Sequence, residues 1–275
     1  MIFDGVEIAE KMRMDVERRI LALKEEKIVP ALRCIVSSDD KSTRVYLNSI
    51  KKNCDKFGIN YAEIKVDEKN ILEEIASLNL DDEVHGIMIM HPVPKTVDEI
   101  KVLSTVDPVK DVEGRTPENL GLLLIGNPYF TPCTAQATVE MLKYYGVQLK
   151  GKDVTIVGRS TTVGKPLSLL LLNEDATVTV CHSKTEKLID KVKDSDIVVA
   201  AVGKPKMFNA DWFKDGATVI DVGINIVEGK IVGDVDFDSV SKKCSVSKVP
   251  GGVGNVTNAL LMRNVVKAAE VICKR

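Results

Sequence analysis

Two glycines six residues apart, behind an apolar run, carry the strongest local chemical signal in the chain. The stretch reads Val154-Thr155-Ile156-Val157-Gly158-Arg159-Ser160-Thr161-Thr162-Val163-Gly164-Lys165-Pro166. It describes a strand entering a tight turn and a helix leaving it. Gly158 lets the backbone approach a ligand closely, and the N–H groups of a new helix end favour a phosphate. Pro166 suits the first turn of that helix, where its missing donor costs little. The pattern is not the common GxGxxG, and alone it fits an ordinary strand-to-helix turn as well. A second strand ending at Cys181-His182-Ser183 completes a mononucleotide-binding half. An NAD site places Asp or Glu at that strand end to hold the ribose diol. Here His182 and Ser183 stand there, with Arg159 on the first turn. A hydroxyl and a guanidinium suit a 2′-phosphate, which points to NADP. Arg159 also reads as a solvated loop charge, and Ser183 with Glu186 as a capping box for the next helix.

Other chemistry-bearing residues are sparse. The histidines are His85, His91 and His182. The cysteines (Cys34, Cys54, Cys133, Cys181, Cys244, Cys273) form no CxxC pair. Neither set clusters as zinc ligands do, so no metal site is expected. Scattered within apolar runs, the cysteines read as buried free thiols of a reducing cytosol, and a cytoplasmic protein is expected. Cys133, between Pro132 and Thr134, has no evident activating base and reads as structural. Tyr46, Ile50 and Cys54 recur every four residues, which by itself fits the core stripe of an amphipathic helix.

These residues need elements to position them. Ile8, Met12, Val16 and Ile20 draw an apolar stripe on a helix over about 6–24, with Asp4 as a plausible N-cap. Strands follow at 31–36, 61–66 and 86–90, with helices at about 43–57 and 71–78. A long irregular stretch covers 104–132, and loops of that size are usually functional or border a domain. A helix at 134–145 precedes a second alternation: strands at 154–157, 177–181, 197–202 and 218–222, with helices at 163–173 and 186–193. A last helix covers 255–273. Strand–helix alternation implies α/β lobes with parallel sheets covered on both faces. The 275 residues, 44% of them hydrophobic and 28% charged, suit such a chain. With Lys+Arg 38 against Asp+Glu 40, no basic surplus marks a nucleic-acid partner. No apolar run is long enough to span a bilayer, and no signal peptide is evident.

Taken in order, the motifs resemble those of the methylenetetrahydrofolate dehydrogenase / methenyltetrahydrofolate cyclohydrolase family over nearly the whole chain. The likeness rests on Gly158-Arg159-Ser160 with Val163-Gly164 and Pro166, Cys181-His182-Ser183, Val202-Gly203-Lys204-Pro205 and Asp221-Val222-Gly223-Ile224-Asn225. Gly233-Asp234-Val235-Asp236 and Pro250-Gly251-Gly252-Val253-Gly254 follow, with Thr257 behind. Tyr46, Pro92, Lys110-Asp111-Val112 and Pro132-Cys133-Thr134 come from the N-terminal half. The resemblance implies two lobes: a folate-binding catalytic domain over 1–135 completed by 255–275, and a Rossmann-type NADP-binding domain over 136–254, with the active site in the cleft. It implies cofactor contacts at Gly158, Arg159, Ser160, Val163, Gly164, His182, Ser183, Gly203, Ile224 and Thr257. Substrate contacts are implied at Tyr46, His91, Pro92, Glu113, Pro250, Gly251, Gly252 and Val253, with Tyr46 stacking on the folate. A homodimer through the Rossmann domain is also implied.

The family's dehydrogenase step moves a hydride from the methylene bridge of 5,10-methylenetetrahydrofolate to NADP. Two flanking nitrogens stabilise the developing cation, so positioning supplies much of the effect. The cyclohydrolase step moves protons. For it the family uses a Lys four residues after the Tyr and a Gln before the Pro-rich turn. Ile50 and Met90 occupy those catalytic positions here. Lys51 would lie about 100° further round an ideal helix. Glu113 stands where the family's pterin-gripping Asp is usual; it also reads as a surface loop charge. Ala135 and Ala137 replace a usual Pro and Gly, and Asn255-Val256 a usual Pro-Met. The expectation is a dehydrogenase with weak or absent cyclohydrolase activity. Alternatives are a bifunctional enzyme using His91 as a substitute group, a shikimate-type dehydrogenase of similar architecture, and a non-catalytic folate- or NADP-binding paralogue.

Overall fold

The computed structural model describes residues 1–38 and 40–274, without the side chains of 41 and 42. In chain order the elements are β1 (Ile2–Phe3), α1 (Gly5–Glu25), β2 (Ala31–Val36), α2 (Lys41–Phe57), β3 (Asn60–Lys65), α3 (Ile71–Leu80), β4 (Gly86–Ile89), α4 (Glu99–Thr105) and α5 (Pro117–Leu124). Then come α6 (Cys133–Tyr144), β5 (Asp153–Val157), α7 (Gly164–Leu172), β6 (Thr177–Cys181), α8 (Leu188–Lys193), β7 (Ile197–Ala200) and β8 (Thr218–Asp221). A hairpin of β9 (Asn225–Val227) and β10 (Lys230–Val232), then α9 (Phe237–Val240), β11 (Ser245–Ser247) and α10 (Val253–Ile272), complete the chain.

The chain divides into two compact units. One comprises Lys11–Thr131 with Asn258–Arg275. Its sheet is parallel, in the order β3-β2-β4. Successive strands therefore lie on opposite sides of β2, and the carboxyl end of β2 and β4 is a topological switch point, where open α/β sheets bind ligands. Ile35, Ile71, Ile75, Val84, Ile87 and Val102 fill the core against one sheet face. The stripe expected on α1 appears as buried Val16 and Ile20. Arg19 clamps α1 to α10 through Glu270, at 2.9 and 2.6 Å. Lys110 Nζ donates to the Leu78, Asn79 and Asp81 carbonyls at 3.0, 2.9 and 2.7 Å. It thereby caps the open C-terminal end of α3. The 104–132 stretch is less irregular than its composition suggests. It contains α5, which Thr116 caps by accepting from the Asn119 N–H and which Pro117 opens.

The other unit comprises Met1–Glu10 and Pro132–Thr257. Its six-stranded sheet has the order β1-β11-β8-β7-β5-β6, all neighbours parallel. The N-terminal ten residues thus pack within this unit. The cause is local: β1 pairs with β11, and the Gly5 N–H donates to the Gly251 carbonyl at 2.7 Å. A Cβ on Gly5 would meet the Gly252 carbonyl oxygen at 2.1 Å, so only glycine passes there. Asp4 caps α1, accepting from the Val6 N–H at 2.9 Å, and its carboxylate also receives Lys248 Nζ at 2.7 Å. The capping box read at Ser183 and Glu186 does not form. The helix starts at Leu188, and the Thr185 hydroxyl instead accepts from the His182 N–H at 2.8 Å.

Among the described residues no helix is long and apolar enough to cross a membrane, and no three His, Cys, Asp or Glu side chains gather as metal ligands. Five of the six free thiols are buried; Cys273 is exposed.

Candidate active site

In the unit built on the three-stranded sheet, a cavity of about 250 Å³ opens at the switch point. Thr43, Tyr46, Met88, Ile89, Met90, His91, Glu113 and Arg115 line it. The end of β4 supplies the floor and the first turns of α2 one wall. Asp40 accepts from the Thr43 N–H at 3.0 Å and from its hydroxyl at 2.7 Å. The Thr43 hydroxyl reaches the His91 carbonyl at 3.1 Å, and Ser37 Oγ the Pro92 carbonyl at 3.0 Å. These contacts fix the turn after β4 to the start of α2.

The opposite wall is a turn held from below. Ile87 and Asp111 form a parallel bridge that extends the sheet beyond β4. Asp111, buried, accepts from the Thr116 N–H at 2.7 Å and from Asn119 Nδ2 at 2.9 Å. Asn264 on α10 donates to the Val112 carbonyl at 2.8 Å. Gly114 turns the chain at φ 67°. Glu113 and Arg115 therefore sit on a rigid turn and face the cavity. Their charged atoms are 3.6 Å apart, with the side chains only 20% and 10% exposed. Burial pushes the Glu113 carboxyl up to about 7, against the pull of the Arg115 guanidinium. Burial and the same guanidinium hold the His91 imidazole below its usual range.

The sequence-derived residues separate here. Tyr46, 37% exposed, lines the cavity, while Ile50 and Cys54 on the same helix are fully buried. The stripe is thus split: its lower part is core and its upper member faces the site. Met90 lines the cavity; Ile50 does not. Lys51 turns outward and pairs with Asp55 at 2.6 Å. Pro92, behind a cis peptide bond, is exposed and is not a lining residue. Pro250, Gly251, Gly252 and Val253 belong to the other unit. Sequence reasoning missed Arg115 and Thr43. The available hint for Arg115 was a cation two residues beyond Glu113 in a glycine turn.

In the six-stranded unit, β5 is flanked by β6 on one side and β7 on the other, so Gly158 lies at that sheet's own switch point. Its φ is 138°, and a Cβ there would stand 2.2 Å from the Ala201 carbonyl oxygen. A Cβ on Gly164 would stand 2.0 Å from the Gly158 carbonyl oxygen. Both glycines are required by the turn itself, and α7 starts there. Ser160 Oγ accepts from the Val163 N–H at 3.0 Å. The Gly158 N–H donates to the Cys181 carbonyl at 2.9 Å, which sets the end of β6 and its His182-Ser183 beside the turn. Arg159, Ser160, Ser183 and Lys184 are exposed there, and no carboxylate follows β6 directly. That donor set fits an anionic nucleotide carrying a ribose phosphate.

Two buried carboxylates that the sequence reading gave no chemical role shape the neighbouring loops. Asp234 accepts from the Val202, Gly203 and Lys204 N–H groups at 2.6, 3.0 and 2.8 Å and from Asn225 Nδ2 at 2.9 Å. Asp221 accepts from the Gly223, Asp234 and Val235 N–H groups, and burial pushes its carboxyl up to about 6. Gly203 and the 68%-exposed Ile224 are carried on these loops. Thr257 donates within α10 to the Val253 carbonyl at 3.0 Å.

Two parallel α/β units, one with a switch-point pocket and one with a glycine turn opening a helix, define a chain of the Rossmann-type two-unit class. Residues 3–113 match the catalytic domain of tetrahydrofolate dehydrogenase/cyclohydrolase, and residues 132–273 match its NAD(P)-binding domain. The chain is 44% identical to the bifunctional protein FolD of Acetivibrio thermocellus, over 99% of this chain and 98% of that one. The crystal structure of the bifunctional methylenetetrahydrofolate dehydrogenase/cyclohydrolase of Campylobacter jejuni superposes with a TM-score of 0.95 at 38% identity, covering 98% of this chain and 99% of that one. The Trypanosoma brucei enzyme, solved with NADP and an inhibitor, gives 0.94 at 33% identity over 100% and 99%. The chain belongs to the tetrahydrofolate dehydrogenase/cyclohydrolase family. A shikimate dehydrogenase from Thermus thermophilus, at 13% identity and a TM-score of 0.53, shares the fold alone.

Proposed function

We propose that this chain oxidises 5,10-methylenetetrahydrofolate to 5,10-methenyltetrahydrofolate with NADP, and that its cyclohydrolase activity is weak or absent. The Gly158 turn, Arg159, Ser160 and Ser183 would hold the cofactor, and Tyr46 and Glu113 the folate. NADP, when bound, supplies the hydride acceptor. The protein's share is to orient the folate: Glu113 accepts from N–H groups of the pterin, and Tyr46 offers a ring to stack on. No residue need abstract a proton, because the cation forming on the bridge carbon is stabilised by its own two nitrogens.

One observation carries the second half of the reading: Ile50 is fully buried, and among the described residues no lysine lines the cavity. Hydrolysis needs a group that moves protons to and from water and the folate nitrogen. Lys51 is engaged with Asp55. The relatives' description as bifunctional favours a second reading, in which His91 takes the proton-moving role. Against it, the Arg115 guanidinium stands directly against His91 Nε2.

A paired assay tests both halves. The expected result is methylenetetrahydrofolate-dependent NADP reduction with methenyltetrahydrofolate accumulating, and added hydrolysis in Ile50→Lys. Hydrolysis by the unaltered protein at a rate comparable to hydride transfer would refute the second half. NADP binding with no hydride transfer would refute the first and favour a non-catalytic paralogue.

A further inference from the structure

Arg115 touches four groups around the cavity. Its guanidinium meets Glu113 Oε2 at 3.6 Å, Glu99 Oε1 at 3.5 Å, the Ile89 carbonyl at 3.3 Å and the ring of His91 at Nε2. Nε2 also stands 3.5 Å from Glu99 Oε1; because a guanidinium can only donate, a hydrogen bond from Arg115 takes the Nε2 lone pair and leaves the ring proton on Nδ1. The basic lone pair of the imidazole is therefore turned toward Arg115 and away from any water in the cavity. On its other side the same cation favours the charged form of a carboxylate that burial alone would neutralise.

We propose that Arg115 is the positioning residue of this pocket: it directs the Glu113 carboxylate toward the substrate's heterocyclic N–H groups and occupies the His91 lone pair. The identity of that substrate rests on the folate reading above; the arrangement of the three side chains does not. Among the described residues, the charged and titratable groups facing Glu113 are Arg115, Asp111 and Cys34, with Tyr46 across the same cavity, and those facing His91 are Arg115 and Glu99. Of these Arg115 is the cation that touches both. Two consequences follow. Glu113 binds substrate as an anion at a pH where, unpaired, it would hold its proton. His91 stays neutral yet is unable to accept a proton at Nε2 while Arg115 is in place.

The test compares the full-length protein with Arg115→Met and Arg115→Lys in two measurements. The first follows the His91 ring by nitrogen-resolved NMR against pH, with no ligand added. In Arg115→Met the His91 titration is expected to move up toward the ordinary histidine range, with its preference for an Nδ1 proton lost. Arg115→Lys is expected to fall between. The second measures KM for methylenetetrahydrofolate and kcat across about pH 6–9 at saturating NADP. In Arg115→Met, KM at neutral pH is expected to rise about tenfold or more, with a smaller change in kcat. The inflection of KM is expected to move to higher pH, where the unpaired Glu113 at last ionises. A role confined to stability would lower the melting temperature and leave both inflections in place. An unmoved His91 titration or an unmoved KM inflection overturns the proposal. If the unaltered protein reduces no NADP with methylenetetrahydrofolate, the folate reading falls, and the His91 titration still decides the role of Arg115.

Discussion

Replacing Glu113 with Gln should stabilise the protein at neutral and alkaline pH while weakening its grip on substrate. The carboxyl is raised from 4.5 to about 7, chiefly because burial penalises its charge. The folded protein therefore keeps a proton on Glu113 between pH 4.5 and about 7, where the unfolded chain has released it. The stability from the protonated group is full below 4.5 and is lost as pH rises through about 7. A rise of that size corresponds to about 3 kcal/mol, reduced to about 2–3 by the residual exposure of the side chain. That is a sizeable fraction of the roughly 5–15 kcal/mol that holds a typical domain together.

Glutamine is neutral at every pH and close to isosteric, so the difference between the two proteins isolates this titration. Urea unfolding at pH 5 and at pH 8 should show the Gln variant gaining about 2 kcal/mol or more relative to the unaltered protein across that interval. Any change in hydrogen bonding to Arg115 by the amide itself adds a constant and leaves the pH trend intact. Substrate binding should move the other way, with KM rising, because an amide offers one acceptor oxygen where the carboxylate offers two. A stability difference that is flat from pH 5 to 8 would refute the argument that burial raises Glu113. It would also remove the reason for regarding the charge as one retained for binding.

Other substitutions probe the second unit. Gly158→Ala places a Cβ 2.2 Å from the Ala201 carbonyl oxygen at a φ of 138°. It should weaken NADP binding by more than tenfold in calorimetry and cost about 1–3 kcal/mol of stability. Asp234→Ala leaves three loop N–H groups and the Asn225 amide without their acceptor. Urea unfolding should show a loss of at least about 3 kcal/mol, with the NADP dissociation constant rising more than the folate KM. Equal effects on the two ligands would mean that these loops do not serve the cofactor.

The parallel sheets were readable because fully buried strands are runs of Val and Ile with little else, as in Ile197–Ala200. The glycine turn was readable because close backbone approach at Gly158 admits no other residue. β1 was not: two residues give no periodicity, and its place beside β11 is fixed by pairing partners more than 240 positions away. The β9–β10 hairpin escaped for a related reason, since its exposed Ile226 and Ile231 carry no alternation between a buried and a solvated face. In the pocket, Glu113 and Tyr46 could be found from the family resemblance, while spacing alone put Tyr46 in a core stripe. Arg115 could not, because its importance comes from contacts to Ile89, His91 and Glu99, which lie 16 to 26 residues away and meet it only once β4 and the 111–116 turn are in register.

The fate of the Tyr46 helix separates two demands that one pocket can be asked to meet. Hydride transfer from a carbon between two nitrogens needs a held ring and a held acceptor; proton transfer to water needs a titratable group with a free lone pair. Tyr46 and Glu113 line the cavity and, on the proposed function, would serve the first demand. One turn further along α2, Ile50 is fully buried, so the position that would serve the second has become core. Ile50→Lys must then draw a charged group out of a dry site, and it gains proton transfer only if the four-carbon stem lets the ammonium reach the cavity. A variant that folds, keeps its dehydrogenase rate and hydrolyses methenyltetrahydrofolate would show that the two activities are separable at one helical position. A variant that folds with its ammonium in the cavity yet hydrolyses nothing would place the deficit elsewhere, at Met90 or in the pairing of His91 with Arg115.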